Sequence, residues 1–450
     1  MQTLQYELVV VGGGIAGSMA AIAAARQGVS VLLIEEEGYL GGSLTARGTG
    51  PMMTFHAGEV QAVQGIVDEM IQRLVAKGLS VGHIPDSTGY TYTVTPFDSE
   101  GMKHELELMC LESGVTLRYH SSVVETHVTD GTLTAITCIC ASNLYRVTGE
   151  YFIDATGDSD LIAMAGIPYV QGRESDGKDQ PLTMNFKLSG VDLDAIRALM
   201  ASEVERFPFL APKAGLEKQA VRLSFSGFVE EVIEARERGE ITFDRDIVLV
   251  FETNTPGEVI VNMSRILDTN AVDPVELTAA EIEGRRQVWE LYHFLKKRIP
   301  GFAQASLINS GPHVGIRSSR RLQGLYVVTA EDVIGERKFE DAISACGYPI
   351  DIHSPDGDAT DSTFLREGGY YTIPLRALLN DTLSNVVAAG RNISCTFEAH
   401  ASLRVSPSAG AIGQGAGTAV AVALQTESTL TTLSIEELQK RLRAAGAFLG

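Results

Sequence analysis

The opening of the chain alternates between two hydrophobic periods. Tyr6-Glu7-Leu8-Val9-Val10-Val11 is a short apolar run rich in β-branched residues that stops at glycines, which predicts a buried parallel strand. Ile15 to Gln27 is alanine-rich and predicts a helix, with Gly28 as its stop. Val29 to Ile34 predicts the second strand, and the three pieces together form one βαβ unit. Residues 59–78 carry Val60, Val63, Ile66, Val67, Met70, Ile71 and Leu74 at helical spacing. Residues 100–113 predict another helix closed by Gly114, then a strand over 115–118. Strands follow over 126–140 and 144–153, with Asp130-Gly131 as a hairpin turn.

The middle of the chain reads differently. Residues 183–270 mix strands (184–188 and 247–251) with polar helices. Thr278-Ala279-Ala280-Glu281 has the form of a capping box, opening a helix with Ile282, Trp289, Tyr292 and Leu295 on its face. Residues 385–389 then return to the buried-strand pattern, and the Ala- and Gly-rich run 409–424 predicts a buried helix. The pattern implies an α/β chain whose cofactor domain is built from both ends: residues 1–180 and 376–450, with 181–375 mainly a substrate or cap domain.

Length and composition fit that division. At 450 residues, with 44% hydrophobic and 21% charged positions, the chain can bury a large core. Its formal charge of -21 opposes binding to nucleic acid and to anionic membranes, so neither is expected as a partner. The five cysteines, Cys110, Cys138, Cys140, Cys346 and Cys395, include no C-x-x-C pair. That predicts free thiols in a reducing, cytoplasmic setting, and no iron–sulfur cluster or other metal site. No signal peptide is evident, which agrees with a cytoplasmic location.

The candidate chemistry begins at Gly12-Gly13-Gly14-Ile15-Ala16-Gly17, a G-x-G-x-x-G turn between a strand and a helix. Such glycines allow the tight turn, the approach of a pyrophosphate to the backbone, and close helix–strand packing. The helix amides then face the phosphates. Glu35, with Glu36 beside it, ends the second strand 18 residues past Gly17, where a carboxylate can take a ribose hydroxyl. The motif alone means a dinucleotide.

Further segments point to FAD. They are Leu40-Gly41-Gly42-Ser43-Leu44-Thr45, then Phe152-Ile153-Asp154-Ala155-Thr156-Gly157-Asp158, then Asn385 to Arg391 with Gly413-Gln414-Gly415. Added to these are Tyr348 to His353, Tyr371 to Arg376 and Glu398 to Val405. As a set the chain resembles the glutathione-reductase-type FAD proteins. Within them it is similar to the FAD-dependent oxidoreductase family that includes the flavoprotein core of heterodisulfide reductase. The resemblance implies a Rossmann-like FAD-binding domain with an inserted α+β substrate domain, holding FAD non-covalently. It implies that Gly41, Gly42, Ser43 and Thr45 line the cofactor, with Arg47 close by. It implies that Val124 meets adenine through its backbone, that Gly390 and Arg391 pass the pyrophosphate and ribityl chain, and that Ala155, Thr156 and Gly157 also belong to the cofactor site. Gly413, Gln414 and Gly415 would aim helix amides at the flavin pyrimidine. The chain departs from the heterodisulfide reductase flavoproteins in lacking cysteine clusters, and it has no second G-x-G-x-x-G for a separate nicotinamide cofactor.

A flavin carries hydride itself, so the protein must orient substrate and manage a proton. Among nine histidines, His400 is the first candidate, paired with Arg404 for proton transfer and carboxylate binding. His353 and His56 are the alternatives. Arg317, Arg320 and Arg321 form a positive island suited either to an anionic substrate or to pairing with acids across a domain interface. Arg376 has the same two readings, and Cys395 reads as core. The reading is an FAD-dependent oxidoreductase exchanging hydride between flavin N5 and a small polar or anionic substrate, with an unidentified electron partner. Two other readings stay open: a flavin protein that transfers electrons within a larger redox complex, and a non-catalytic flavin- or nucleotide-binding sensor.

Overall fold

The computed structural model describes residues 1–357 and 360–450. The βαβ unit forms as the periodicity predicts, from β1 (Gln2–Val11), α1 (Ile15–Ala25) and β2 (Val31–Ile34). The predicted helix over 59–78 shortens to α2 (Ile66–Ala76), because residues 56–61 form a small hairpin instead. Next come α3 (Ser99–Glu112), β3 (Thr116–Arg118) and the antiparallel meander β4 (Ser121–Thr129), β5 (Thr132–Cys140) and β6 (Asn143–Asp154). Asp130 and Gly131 make the first meander turn, both with positive φ, as expected for an Asp-Gly hairpin.

The second part of the chain holds β7 (Phe186–Ser189), β8 (Ser224–Gly227), β9 (Val248–Glu252) and β10 (Val259–Val261). They are followed by α4 (Pro274–Arg298) and β11 (Ser306–Ser310). The chain then returns to the first part with β12 (Ile350–His353), β13 (Val386–Ala388), α5 (Phe397–Leu403) and α6 (Ser406–Gln425).

Two sheets organise these elements. The larger has seven strands in the order β3-β2-β1-β6-β5-β4, with β13 also on β6. Strand β6 belongs to two arrangements at once. Its first half pairs antiparallel with β5, and its last residues, Phe152 to Asp154, pair parallel with β13. Along its other edge it runs parallel to β1 from Gln2 to Val11. The smaller sheet has five strands, β8-β9-β10-β7-β11, all antiparallel. Each sheet has its own core. The second core runs from Leu182 to Val314, and Leu322 and later apolar residues rejoin the first. The inserted part therefore ends well before residue 375, the limit read from the sequence. The strand Ala342–Cys346, packed under α6, and its partner strand Tyr371–Pro374 belong to the first core and not to the insert.

One helix corrects the sequence reading locally and another bears it out. Helix α4 starts earlier than the Thr278 capping box, because Asp273 caps it through Val275 and Glu276 N–H with Pro274 at the first position. Its buried face is Gly284, Val288, Leu291 and Leu295, so Ile282 and Trp289 are left exposed. Helix α6 is buried along almost its whole length, as its Ala-Gly composition requires. It lies directly on α1: a Cβ on Gly413 would sit 2.0 Å from the Ala16 carbonyl oxygen, and one on Gly417 would sit 2.1 Å from that of Ala20. Among the described residues no helix is long and apolar enough to cross a membrane.

The seam can be tested. Alanine is about 1 kcal/mol better than glycine inside a helix, but overpacking against a backbone costs about 1–3 kcal/mol. Gly417→Ala is therefore expected to lower the thermal midpoint of unfolding, and a raised midpoint contradicts the seam.

Candidate functional site

Two adjoining cavities lie where the parallel strands end, the usual ligand position in open α/β sheets. The first is a groove of about 260 Å³ at the ends of β1, β2, β6 and β13. Gly12 and Gly14 form one wall, Glu35 and Glu36 the next, and Ser122 and Val123 of β4 a third. Ala155 to Asp158 and Gly390-Arg391 close it. The second is a chamber of about 470 Å³ between the two sheets, reached from the groove past Ser43, Ile316, Arg391, Arg404 and Ser406, which line both.

The glycine turn is shaped by contact. Gly12 has φ +98, and a Cβ there would sit 2.4 Å from the Ala155 carbonyl oxygen. A Cβ on Gly17 would sit 1.9 Å from the Gly12 carbonyl oxygen. Gly14 is different: a Cβ there would meet nothing nearer than the Gly42 Cα at 3.8 Å, so this part of the turn faces the groove. The Gly13 N–H donates to Glu35 Oε2 at 2.5 Å, and the Glu37 N–H donates to Oε1 at 2.8 Å. Glu35 is nearly buried, and burial raises its pKa against the pull of those two N–H groups. A carboxylate so poorly solvated gains from added hydroxyl donors, such as those of a ribose.

The far wall is held by two buried aspartates. Asp154 accepts the N–H groups of Thr156 (3.0 Å) and Ile162 (2.9 Å) and the Thr156 hydroxyl (2.7 Å), which ties down the turn after β6. Burial pushes its pKa up to about 6. Asp158 accepts from Arg391 at 2.6 Å and from the Ser319 hydroxyl at 2.5 Å. Burial opposes its charge, but Arg391 and Arg47 outweigh that and hold its pKa low. Arg391 Nη1 and Ser408 Oγ are buried with no partner among the described residues. The first turn of α6 has no side-chain cap, and Ser406 and Ala409 line the groove. Orphan donors, an open glycine turn and a bare helix N-terminus together fit a dinucleotide carrying phosphates.

Several expected cofactor contacts fall elsewhere. Gly413 and Gly415 lie mid-helix, packed on Ala16 and on Ile343, and Gln414 bonds to the Ile66 N–H and the Ala445 carbonyl. The end of α6 that faces the cavities is Ser406 to Ala409. Val124 is exposed, and Val123 lines the groove in its place, since adjacent strand residues point to opposite faces. Gly13, Gly17, Gly41 and Thr45 shape the turns from behind, with the Thr45 hydroxyl on the Leu40 carbonyl at 2.8 Å. Gly12, Gly14, Ile15, Ala16, Glu35, Glu36, Gly42, Ser43, Arg47, Ala155, Thr156, Gly157, Gly390 and Arg391 all line the groove.

The histidines separate more sharply. His400 is buried and lines neither cavity. Burial, with Arg321, Arg404 and Arg391 adding, drives its pKa far down. His56 also lies outside both cavities, with Nδ1 3.1 Å from the Thr93 hydroxyl and its ring beside His83. His353 does line the chamber, with Nε2 3.5 Å from Asp351 Oδ2. Arg404 lines both cavities, 3.8 Å from the same carboxylate oxygen. Asp351 also accepts from Tyr90 (3.0 Å) and Tyr348 (3.2 Å). The His353 ring, then Arg404 and the Tyr90 hydroxyl, hold Asp351 well below the usual carboxylate range against burial, while burial and Arg317 lower His353 to about 3. His353 is thus neutral at neutral pH.

The arginine island splits. Arg320 pairs with Asp160, and Arg321 is buried on the Cys395 and Gly172 carbonyls. Only Arg317 of the three reaches the chamber. Arg376 lies 3.7 Å from Asp341, and Cys395 is a buried thiol pushed up to about 12. Tyr90 is not read from the sequence at all, and Tyr348 and Asp351 enter there only as part of a segment, without a role in the chamber. The two-residue spacing of Asp351 and His353 put them on one strand face, but no local pattern showed that this face meets a cavity.

Comparison with known proteins follows this geometry. The model of the FAD dependent oxidoreductase family matches residues 7–442. No curated protein matches the chain. Among solved structures, the myxobacterial chondrochloren halogenase CndH is 13% identical with a TM-score of 0.50, over 98% of this chain and 79% of that one. A geranylgeranyl bacteriochlorophyll reductase-like protein from Thermoplasma acidophilum is 13% identical with a TM-score of 0.49, over 98% and 83%. At such identity the halogenase likeness speaks for the fold alone.

Two measurements check the site. Glu35→Ala removes a charged acceptor worth about 1.5–3 kcal/mol, so FAD affinity is expected to fall about ten- to hundredfold in a titration followed by flavin fluorescence. His353 supplies the second. Between about 3 and its ordinary 6.5, the unfolded chain holds a proton there that the native chain lacks. Stability therefore falls as pH drops through that window. His353→Gln should make the acid limb of a stability-against-pH profile shallower.

Proposed function

Since the chain belongs to the FAD dependent oxidoreductase family, we propose that it holds FAD non-covalently along the groove and exchanges hydride with a small polar or anionic organic substrate in the chamber. The observation that carries this reading is the common wall: Ser43, Ile316, Arg391, Arg404 and Ser406 line both cavities. Gly12, Gly14 and Arg391 would hold the pyrophosphate, Glu35 a ribose, and the first turn of α6 the flavin end. Bound FAD would supply the two-electron chemistry.

The chain's own residues supply the rest. The Phe209, Leu249 and Phe251 side chains help to line the chamber and favour exclusion of water. His353, unprotonated at neutral pH, would take the substrate's proton; burial weakens it as a base, and the Asp351 charge beside it opposes that. Tyr90 and Tyr348 hold Asp351 in place. Arg404, between groove and chamber, would orient an anionic group. A chamber of this size beside the cofactor groove favours direct work on a substrate over a purely electron-transferring role. The glutathione-reductase-type subclass, and kinship with the heterodisulfide reductase flavoprotein, are supported by the Asp154 to Asp158 turn and the Gly390-Arg391 return.

The purified protein is expected to be yellow, or to become so when the FAD-free chain is titrated with FAD. A correctly folded chain that never takes up FAD overturns the reading. With a substrate identified, His353→Gln should lower kcat by about 10²-fold or more, the usual scale of a lost acid–base group. His400→Gln should act mainly on stability.

A further inference from the structure

Among the described residues, Arg317 is a cation with no carboxylate in ion-pair contact. Its Nη1 donates to the Pro181 carbonyl at 2.7 Å and to the Thr183 hydroxyl, and its Nη2 lies 3.5 Å from Asn262 Oδ1. All three acceptors are neutral. No carboxylate among the described residues pairs with it, and Nε and the rest of Nη2 have no hydrogen-bond partner among them. The neighbouring arginines differ: Arg391 has Asp158 at 2.6 Å, and Arg404 has Asp351 at 3.8 Å. Arg317 lines the chamber and keeps some accessible surface.

Such a group is costly to bury alone. Burial, with Arg404, Arg265 and Arg245 adding and Asp351 opposing, pushes its pKa below the usual arginine range, although a guanidinium stays protonated at neutral pH. Within a chain of formal charge -21, a half-buried guanidinium facing acceptors of no charge marks a place where negative charge is brought in from outside. The rest of the lining narrows the choice. Phe209, Leu249, Phe251 and Val229 give it an apolar body, and about 470 Å³ suits a small organic ligand. One unmatched guanidinium suits one negative charge, and its planar fork suits a planar carboxylate.

We propose that the chamber is a binding site for an organic monocarboxylate, with Arg317 taking the carboxylate and the apolar lining taking an aromatic or branched body. The inference rests on the reading of the chamber as the substrate site and names the substrate class. Arg317 binds and orients; His353, on the same chamber, handles the proton.

The test is calorimetric titration of the FAD-loaded protein with benzoate, with neutral benzamide of nearly the same shape, and with inorganic phosphate. Benzoate is expected to bind at least about tenfold more tightly than benzamide, the scale of a charge-assisted pair, and more tightly than phosphate. Arg317→Met should bring benzoate and benzamide within about twofold of each other, and Arg317→Lys should retain part of the preference. Equal binding of benzoate and benzamide by the natural protein overturns the proposal, as does binding of neither, or a preference for phosphate. That comparison needs no variant to fold. FAD uptake is read separately by absorbance, and the same titration can be run on FAD-free protein. A chain that refuses FAD but prefers benzoate would sink the functional reading and leave the carboxylate site standing.

Discussion

Backbone contact between the first helix and the last long one governs the site. At Gly413 and Gly417 the two helices approach so closely that a methyl group would meet a carbonyl oxygen of α1. Helix α1 is itself pressed onto the glycine turn, where Gly17 touches the Gly12 carbonyl. Turn, α1 and α6 therefore stack with little freedom to slide, because interiors packed at this density resist displacement. The consequence is positional. The uncapped first turn of α6 comes to the common wall of both cavities, on the side where Gly14 opens toward the groove. Orphan N–H groups and the positive end of a helix dipole are thereby fixed where a flavin and a substrate would meet.

Charge then refines what packing places. Most buried or half-buried arginines here are matched: Arg391 with Asp158, Arg320 with Asp160, Arg404 with Asp351. Each pair joins residues distant in sequence, and the first two tie the turn after β6 to the returning chain. In the low dielectric of the interior such pairs are specific more than they are strong. Against this background Arg317, which pairs with no carboxylate among the described residues, carries the proposed carboxylate site. His353, unprotonated beside Asp351, carries the proposed proton step. His400 is likewise held well below its ordinary pKa by burial but has no cavity to serve.

The fold was legible wherever local pattern and burial coincide. The β-branched run before Gly12, the alanine-rich helix and the Asp-Gly turn of the meander are local facts, and each lies where the periodicity put it. Boundaries moved where tertiary contacts took over. Residues 56–61 pair as a hairpin and shorten α2, and Asp273 claims the cap of α4 from Thr278. The end of the inserted part was illegible, since strands of the first core look in sequence like strands of the second sheet.

The site divides along the same line. The sequence by itself determined the dinucleotide turn, the acidic residue at the end of β2 and the glycine and aspartate of the turn after β6, because their chemistry depends on a few adjacent residues. Only the tertiary structure decided which basic groups meet the cavity. His400 and Arg404 are one helical turn apart, yet α5 ends at Leu403, so His400 faces the core while Arg404 leaves the helix and reaches both cavities. Likewise the seam glycines of α6 resemble a phosphate loop until α1 is seen lying against them. Which side of a residue is buried is set by elements hundreds of positions away, and no local spacing carries that information.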